Sequence, residues 1–234
     1  MAFFFSGSWF LHRLLKRKPR KIQLAVLYAL VLLNLGIHFA GPFVLWENPD
    51  HRLARMFMVN ICAVIVLLAP ALFFSKGTFL KSGFVLSSIM AGALVTFYPS
   101  EALGFSPFSL AAIRFYIQHF LIFSVAASLV SLRFVKLRYR DFWALPAFMF
   151  LSLLIVVANG AILEGWGVIG RQQNWNMAFQ WGPAELEGVI GWLVPGILRT
   201  GDGFIPVLWQ LPVFFTFYPA FALATVYLSK KLGN

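Results

Sequence analysis

Six long apolar stretches constrain what this chain can fold into. They cover residues 22–46, 53–74, 79–98, 110–132, 142–166 and 205–229. Each is close to the roughly 20 residues that a helix needs to cross a bilayer. The whole chain is 60% hydrophobic and 12% charged, whereas a soluble domain has about 25% charged residues. The sequence therefore predicts an all-α integral membrane protein, a bundle of about six transmembrane helices.

The basic residues predict how these helices are oriented. If the N-terminus lies inside, fourteen of the nineteen lysines and arginines fall inside, and seven of the eight acidic residues fall outside or at outer helix ends. Lysine and arginine mark the cytoplasmic side of membrane proteins. We therefore expect both termini in the cytoplasm and a multi-pass protein of the cytoplasmic (inner) membrane of the cell. The net charge of +11 then reflects orientation, and we expect no nucleic-acid partner.

The chain divides into a short basic segment and one membrane domain. Residues 1–21 form a basic cytoplasmic N-terminal segment, which we expect to be an interfacial helix with Phe10, Leu11, Leu14 and Leu15 in the headgroups. Residues 22–234 form a single six-helix transmembrane domain. Within it, residues 167–204 are too polar to span, and their tryptophans favour the headgroup level. They predict an outer re-entrant or interfacial segment over the mouth of the bundle.

Polar groups inside the spans mark a candidate site. The fourth span carries Arg114, Gln118 and His119, and an ionisable residue within a membrane is costly unless it has a partner or a function. At about 1.5 Å per residue, Cys62 and His119 each lie roughly 14 Å below the outer ends of their spans. Further polar residues fall in the outer halves of other spans, namely His38, Asn60, Asn159 and Glu164. Together they predict a polar pocket at outer-leaflet depth.

Each of these residues also has a structural interpretation. A buried cysteine behaves as a small hydrophobe, and a lone histidine often bonds a carbonyl. Arg114 and Glu164 are either helix-end residues that reach the headgroups or an ion pair with each other. The asparagines, including Asn34, suit hydrogen bonds between helices. With a single cysteine, no intrachain disulfide forms, and we assign no metal or cofactor.

Three motifs carry a family resemblance. They are Asn60-Ile61-Cys62 with an apolar run to Pro70, Tyr98-Pro99 at the end of the third span, and Phe115 to His119. They resemble the YwaF-like family of six-span bacterial membrane proteins, which is similar to the eukaryotic transmembrane protein 164, an acyltransferase acting on membrane phospholipids. That family pairs a cysteine with a histidine about 57 residues later, and Cys62 and His119 are 57 apart. Asn60 stands where the bacterial pattern often has histidine, and residues 172–177 match only in part.

The resemblance implies a membrane lipid acyltransferase or hydrolase. Cys62 would be the nucleophile and His119 its base, so we expect the Cys62 sulfur within hydrogen-bond reach of a ring nitrogen of His119. The substrate-binding residues would be Arg114 for a lipid phosphate, Asn60, Gln118 and Asn159 for a developing oxyanion, and His38 and Glu164.

Two other functions remain open, and both would use the same pocket. The first is a non-catalytic lipid- or small-molecule-binding membrane protein or transporter, in which Cys62 is replaceable. The second is a haem protein that uses His38 and His119. Membrane lipids are the expected partners, and the sequence leaves the oligomeric state open.

Overall fold

The computed structural model describes residues 2–44, 56–97, 106, 108–169, 199–200, 203–204 and 211–233. In chain order the α-helices are α1 Ala2–Lys16, α2 Arg20–Val44, α3 Ile61–Phe73, α4 Thr78–Phe97, α5 Leu110–Ser131, α6 Ala144–Gly165, α7 Leu211–Phe215 and α8 Phe217–Gly233. A 3₁₀ turn, Tyr139–Trp143, leads into α6. Two short strands, β1 Arg199–Thr200 and β2 Gly203–Phe204, pair antiparallel with Arg199 opposite Phe204.

The predicted class, an all-α membrane protein, is confirmed. Within the described residues, five helices are long and apolar enough to cross a membrane: Arg20–Val44, Thr78–Thr96, Leu110–Ser131, Tyr139–Gly165 and Pro212–Lys231. Their bounds lie close to five of the six predicted stretches. The last of them is interrupted at Thr216, between Pro212 and Pro219, because proline cannot donate the backbone hydrogen bond that a continuous helix requires.

The second predicted span differs from the structure. Its described helix, α3, has only 13 residues and begins at Ile61, whereas the apolar stretch begins at residue 53. Residues 57–60 are not helical, because the side chain of Asn60 takes the place of a helical carbonyl and accepts a hydrogen bond from the backbone N–H of Ala63 at 2.7 Å. This is an N-cap, which begins a helix at a defined residue. Residues 53–55 lie outside the described residues.

The core forms where α4 and α5 lie at the centre of the bundle. Helix α5 packs against α1, α2 and α4, and helix α4 packs against α3, α5 and α6. Fully buried side chains from these helices include Leu27, Ile65, Leu86, Leu129 and Leu145. Lipid chains are as apolar as leucine, so close packing rather than exclusion from water holds such helices together. The packing is especially close at Gly83, where a Cβ atom would lie 2.5 Å from the carbonyl oxygen of Ala144 on α6.

Helix α1 belongs to the bundle, which the sequence analysis did not anticipate. It runs alongside α5 in the same direction: the ring of Phe4 packs on Phe120, with centroids 5.8 Å apart, and the hydroxyls of Ser8 and Ser124 lie 2.7 Å apart. Phe10 and Leu14 are exposed, whereas Leu15 is buried in the core, and the interfacial position expected for α1 stays a prediction. The expectation that Leu15 lies in the headgroups is therefore wrong, because this residue lies on the same buried face of α1 as Phe4 and Ser8.

Most of the predicted outer segment, residues 170–198, lies outside the described residues, as do residues 201–202 and residues 205–210 at the start of the sixth stretch. Its role as a lid therefore stays a prediction.

Candidate functional site

Cys62 lies in the first turn of α3. The cap residue Asn60 has extended backbone angles, φ −148° and ψ 168°, and Cys62 follows it by two positions. The first N–H groups of a helix have no carbonyl within the helix to bond, and the helix dipole places partial positive charge at this end. This end of a helix stabilises negative charge that forms on a side chain beside it. The cap thus gives Cys62 an environment that the middle of a long span would not provide.

His119 is held in one tautomer by its own helix. Its side chain is 5% exposed, and its Nδ1 lies 2.8 Å from the carbonyl oxygen of Phe115, four residues earlier on α5. A carbonyl oxygen only accepts, so Nδ1 carries the hydrogen and donates it. The Nε2 of the neutral ring is therefore left with a lone pair. The Phe115 ring also packs on the imidazole, with centroids 4.4 Å apart.

The two residues meet across the bundle. The Nε2 of His119 lies 3.3 Å from the Sγ of Cys62, a distance at which a thiol can donate its hydrogen to the lone pair of the ring. The hydrogen bond expected from the sequence is present. Because α3 contributes a thiol at its N-terminus and α5 contributes an acceptor of fixed tautomer, the pair has the geometry in which a base takes a proton from a nucleophile. A catalytic role for either residue stays a prediction.

Arg114 brings a positive charge to this region. It lies on α5 with the end of its side chain against Gly41 of α2, and it is near enough to His38 and His119 for its charge to act on both rings. One nitrogen of His38 bonds the backbone of Met56, while its Nε2 has no hydrogen-bond partner among the described residues. The structure therefore gathers His38, Arg114, His119 and Cys62 in one place.

The other predicted site residues take different positions. The Oδ1 of Asn60 accepts the hydrogen bond that caps α3, and a role in substrate binding stays a prediction. The backbone carbonyl of Gln118 accepts a 3.4 Å hydrogen bond from Asn34. Asn159 on α6 is half-buried, and its Nδ2 makes no hydrogen bond within the described part of the chain. Glu164 lies in the last turn of α6, and its ion pair with Arg114 stays a prediction.

One comparison with known proteins identifies the family. The model of the TMEM164 family matches residues 1–230 of the 234-residue chain. The chain belongs to the TMEM164 family. The match includes α1 and the described spans up to residue 230, so the resemblance drawn from the motifs around Cys62 and His119 is confirmed for the family, while the YwaF-like assignment stays a prediction. No curated protein and no solved structure matches the chain.

A small cavity lies one helical turn inward from the pair in this TMEM164-family protein. Its volume is about 20 Å³, and α2, α3, α4 and α5 each contribute to its wall. The wall is apolar except for Asn34 and Ser88. Asn34 is 5% exposed, and its Oδ1 has no hydrogen-bond partner among the described residues. The cavity is large enough for one water molecule and far too small for an acyl chain.

Two features of this TMEM164-family site were missed in the sequence. The first is the start of α3 just before Cys62. Its signal was visible, because asparagine followed by an apolar run is typical of a helix N-cap. The second is Gly41, whose lack of a side chain leaves space for Arg114: a Cβ at Gly41 would lie 3.0 Å from the Cδ and Cζ atoms of Arg114. No local pattern distinguishes such a glycine from the exposed Gly36 on the same helix.

Proposed function

We propose that this protein is a membrane enzyme that transfers or hydrolyses lipid acyl groups, with Cys62 as the nucleophile and His119 as the base. The observation that carries the proposal is the 3.3 Å contact between Sγ and Nε2, together with the Nδ1 hydrogen bond that leaves Nε2 as the acceptor. Membership in the TMEM164 family supports an integral membrane protein. The resemblance to transmembrane protein 164 supports acyl transfer on phospholipids.

The first half of the reaction would load the acyl group onto Cys62. His119 Nε2 takes the thiol proton, and the sulfur attacks the carbonyl carbon of an acyl ester in the lipid. The tetrahedral intermediate carries negative charge on its oxygen, for which the N-terminus of α3 and the Nδ2 of Asn60 are donors. When the intermediate collapses, the ester oxygen leaves and takes the proton from His119. The products are a thioester on Cys62 and a lysolipid.

The second half would pass the acyl group on. A hydroxyl of a second lipid gives its proton to His119 Nε2 and attacks the thioester carbonyl, and the Cys62 thiolate leaves and is reprotonated by His119. Water in place of that hydroxyl gives hydrolysis. Arg114 supplies a guanidinium suited to a lipid phosphate, and Gln118, Asn159, His38 and Glu164 complete the predicted binding residues.

A reconstituted assay tests this proposal. The purified protein is placed in liposomes that contain a phospholipid with an isotope-labelled acyl chain and an unlabelled lysophospholipid, and labelled products are measured by mass spectrometry. We expect turnover in the wild type and its loss in Cys62→Ser and His119→Ala. His12→Ala is the matched control. The Nδ1 of His12 lies 2.9 Å from the hydroxyl of Ser131, which is on α5 like His119 but away from Cys62.

The same preparations decide between the proposal and its alternatives. Intact-mass measurement should show one added acyl chain on the wild type, removable by hydroxylamine, which cleaves thioesters. Turnover that persists in Cys62→Ser would refute the nucleophile. The binding-protein or transporter alternative would be favoured if the wild type and Cys62→Ser bind lipid equally well and neither shows turnover. A haem absorbance spectrum of the purified protein would favour the haem-protein alternative.

A further inference from the structure

Gly41 and Arg114 occupy the same space between two helices. Gly41 is buried in the last turn of α2, which packs against α5. A Cβ built on Gly41 would overlap the Nη1 atom of Arg114 and would lie 3.0 Å from its Cδ and Cζ. The end of the arginine side chain therefore lies directly on the backbone of α2, where any other residue would place its own side chain.

The neighbours of Gly41 suit a bound guanidinium. His38 lies one turn earlier on α2 and interacts electrostatically with the charge of Arg114. Pro42 has no backbone N–H, so the carbonyl of His38 cannot receive the helical hydrogen bond that position 42 would normally give. A helix surface that lacks a side chain and has an acceptor carbonyl is a favourable surface for a planar group with five N–H donors.

We propose that Gly41 is a positioning residue that holds the guanidinium of Arg114 against α2 and so fixes a positive charge beside the Cys62–His119 pair. The charge attracts an anionic group to the outer side of the pair. The use of this charge in lipid acyl transfer rests on the proposed function, but the position of the charge does not.

The geometry predicts what a side chain at position 41 does. The colliding atoms are the free end of a flexible side chain, so Gly41→Ala displaces the guanidinium and leaves the backbone in place. Gly83 is the opposite case, because a Cβ there would meet the backbone of Ala144. Gly36 on α2 is the matched control, since a Cβ there would have no atom within 4 Å. Alanine is also a better helix former than glycine, so neither variant of α2 weakens the helix itself.

The alkylation of Cys62 measures the position of the charge. Cys62 is the only cysteine in the chain, so the labelling reports on it alone. The measured quantity is the rate with iodoacetate, an anion, divided by the rate with iodoacetamide, which is neutral and of similar size. A purely structural effect changes the access to the thiol or its reactivity. Such a change alters both rates by the same factor, so it cancels in the ratio. A nearby positive charge raises the ratio through Coulomb attraction.

We expect Gly41→Ala to lower this ratio about fivefold, Arg114→Ala to lower it by a similar factor, and Gly36→Ala to leave it unchanged. The double variant Gly41→Ala/Arg114→Ala should match Arg114→Ala alone, because the charge is already absent. The proposal is overturned if Gly41→Ala leaves the ratio unchanged, if Arg114→Ala leaves it unchanged, or if the two effects multiply in the double variant.

Protein stability provides a second test. If Gly41→Ala prevents folding, the collision with Arg114 is the proposed cause, and Gly41→Ala/Arg114→Ala should fold again. A double variant that also fails to fold would overturn the proposal. The alkylation ratio needs no turnover, so an inactive protein with the expected ratios contradicts the proposed enzyme and leaves the role of Gly41 standing.

Discussion

The Cys62–His119 pair suits a membrane interior when the Cys62 thiol donates to a neutral imidazole. A charged group within a span costs several kcal/mol or must reach water, whereas a thiol that donates to a neutral imidazole carries no net charge. The Phe115 carbonyl sets the tautomer from within the same helix, so no acidic residue is needed to orient the ring. In the proposed reaction, the negative charge of a thiolate arises only when a substrate is bound.

This geometry predicts how Cys62 reacts. His119→Ala removes the acceptor of the thiol proton and should slow alkylation of Cys62 by iodoacetamide on the order of 100-fold, which is within the usual range for a general base. The rate is measured by mass spectrometry on the detergent-purified protein. His12→Ala should react at the wild-type rate. Equal rates for His119→Ala and the wild type would show that the 3.3 Å contact does not activate the thiol.

Asn34 predicts an ordered water molecule. Its Oδ1 is buried without a partner in the described part of the chain, which would cost about 1–3 kcal/mol if it stayed unsatisfied. The adjacent cavity of about 20 Å³ holds one water, and Val66 in its wall has a carbonyl that Pro70 cannot bond. An experimental structure that resolves waters should show one here, and Asn34→Leu should remove it. An empty cavity in the wild type would contradict this prediction.

Among the helices, α3 is the one whose start differs most from the start of its apolar stretch. The length and hydropathy of α2, α4, α5 and α6 predicted their bounds closely, because a bilayer demands long apolar helices. The apolar stretch from residue 53 continues past Asn60 without a change in mean hydropathy, so the mean hydropathy does not reveal a helix start. The structural interpretation of Asn60 was a hydrogen bond between helices, whereas its Oδ1 accepts a hydrogen bond from the backbone N–H of Ala63 in the same helix.

The cap of α3 gives a prediction about this element. Asn60→Ala should lower the free energy of unfolding by about 1 kcal/mol and should also slow the alkylation of Cys62, because the fraying turn carries the thiol. Ser109→Ala is the control: Ser109 caps α5 through a 3.2 Å bond to the N–H of Ala112, so its loss should destabilise the protein similarly and spare the thiol. Both variants are compared by thermal unfolding and labelling. Equal slowing in both would show that the α3 cap has no special effect on Cys62.

At the scale of the whole molecule, predicting the site from the sequence depended on orientation. Once both termini were taken as cytoplasmic, counting residues along each span placed Cys62 and His119 at one depth, and the family spacing pointed to the same two residues. Lateral contacts were out of reach, since no periodicity shows which faces of two helices meet. The packing of α1 on α5 and the contact of Gly41 with Arg114 therefore came only from the structure.

The last prediction tests the orientation itself. The structure places several basic residues at one end of the bundle: Arg20 donates to the carbonyl of Leu132 at 2.7 Å, and the Lys230 ammonium lies 3.8 Å from the Tyr139 ring centroid. If this end is cytoplasmic, alkaline phosphatase fused after Arg138 should be inactive. The same enzyme, which folds only outside the cytoplasm, should be active after Ser106 or within residues 172–180. The reverse pattern would place Cys62 and His119 at inner-leaflet depth, and lipids of that leaflet would then be the substrates to test.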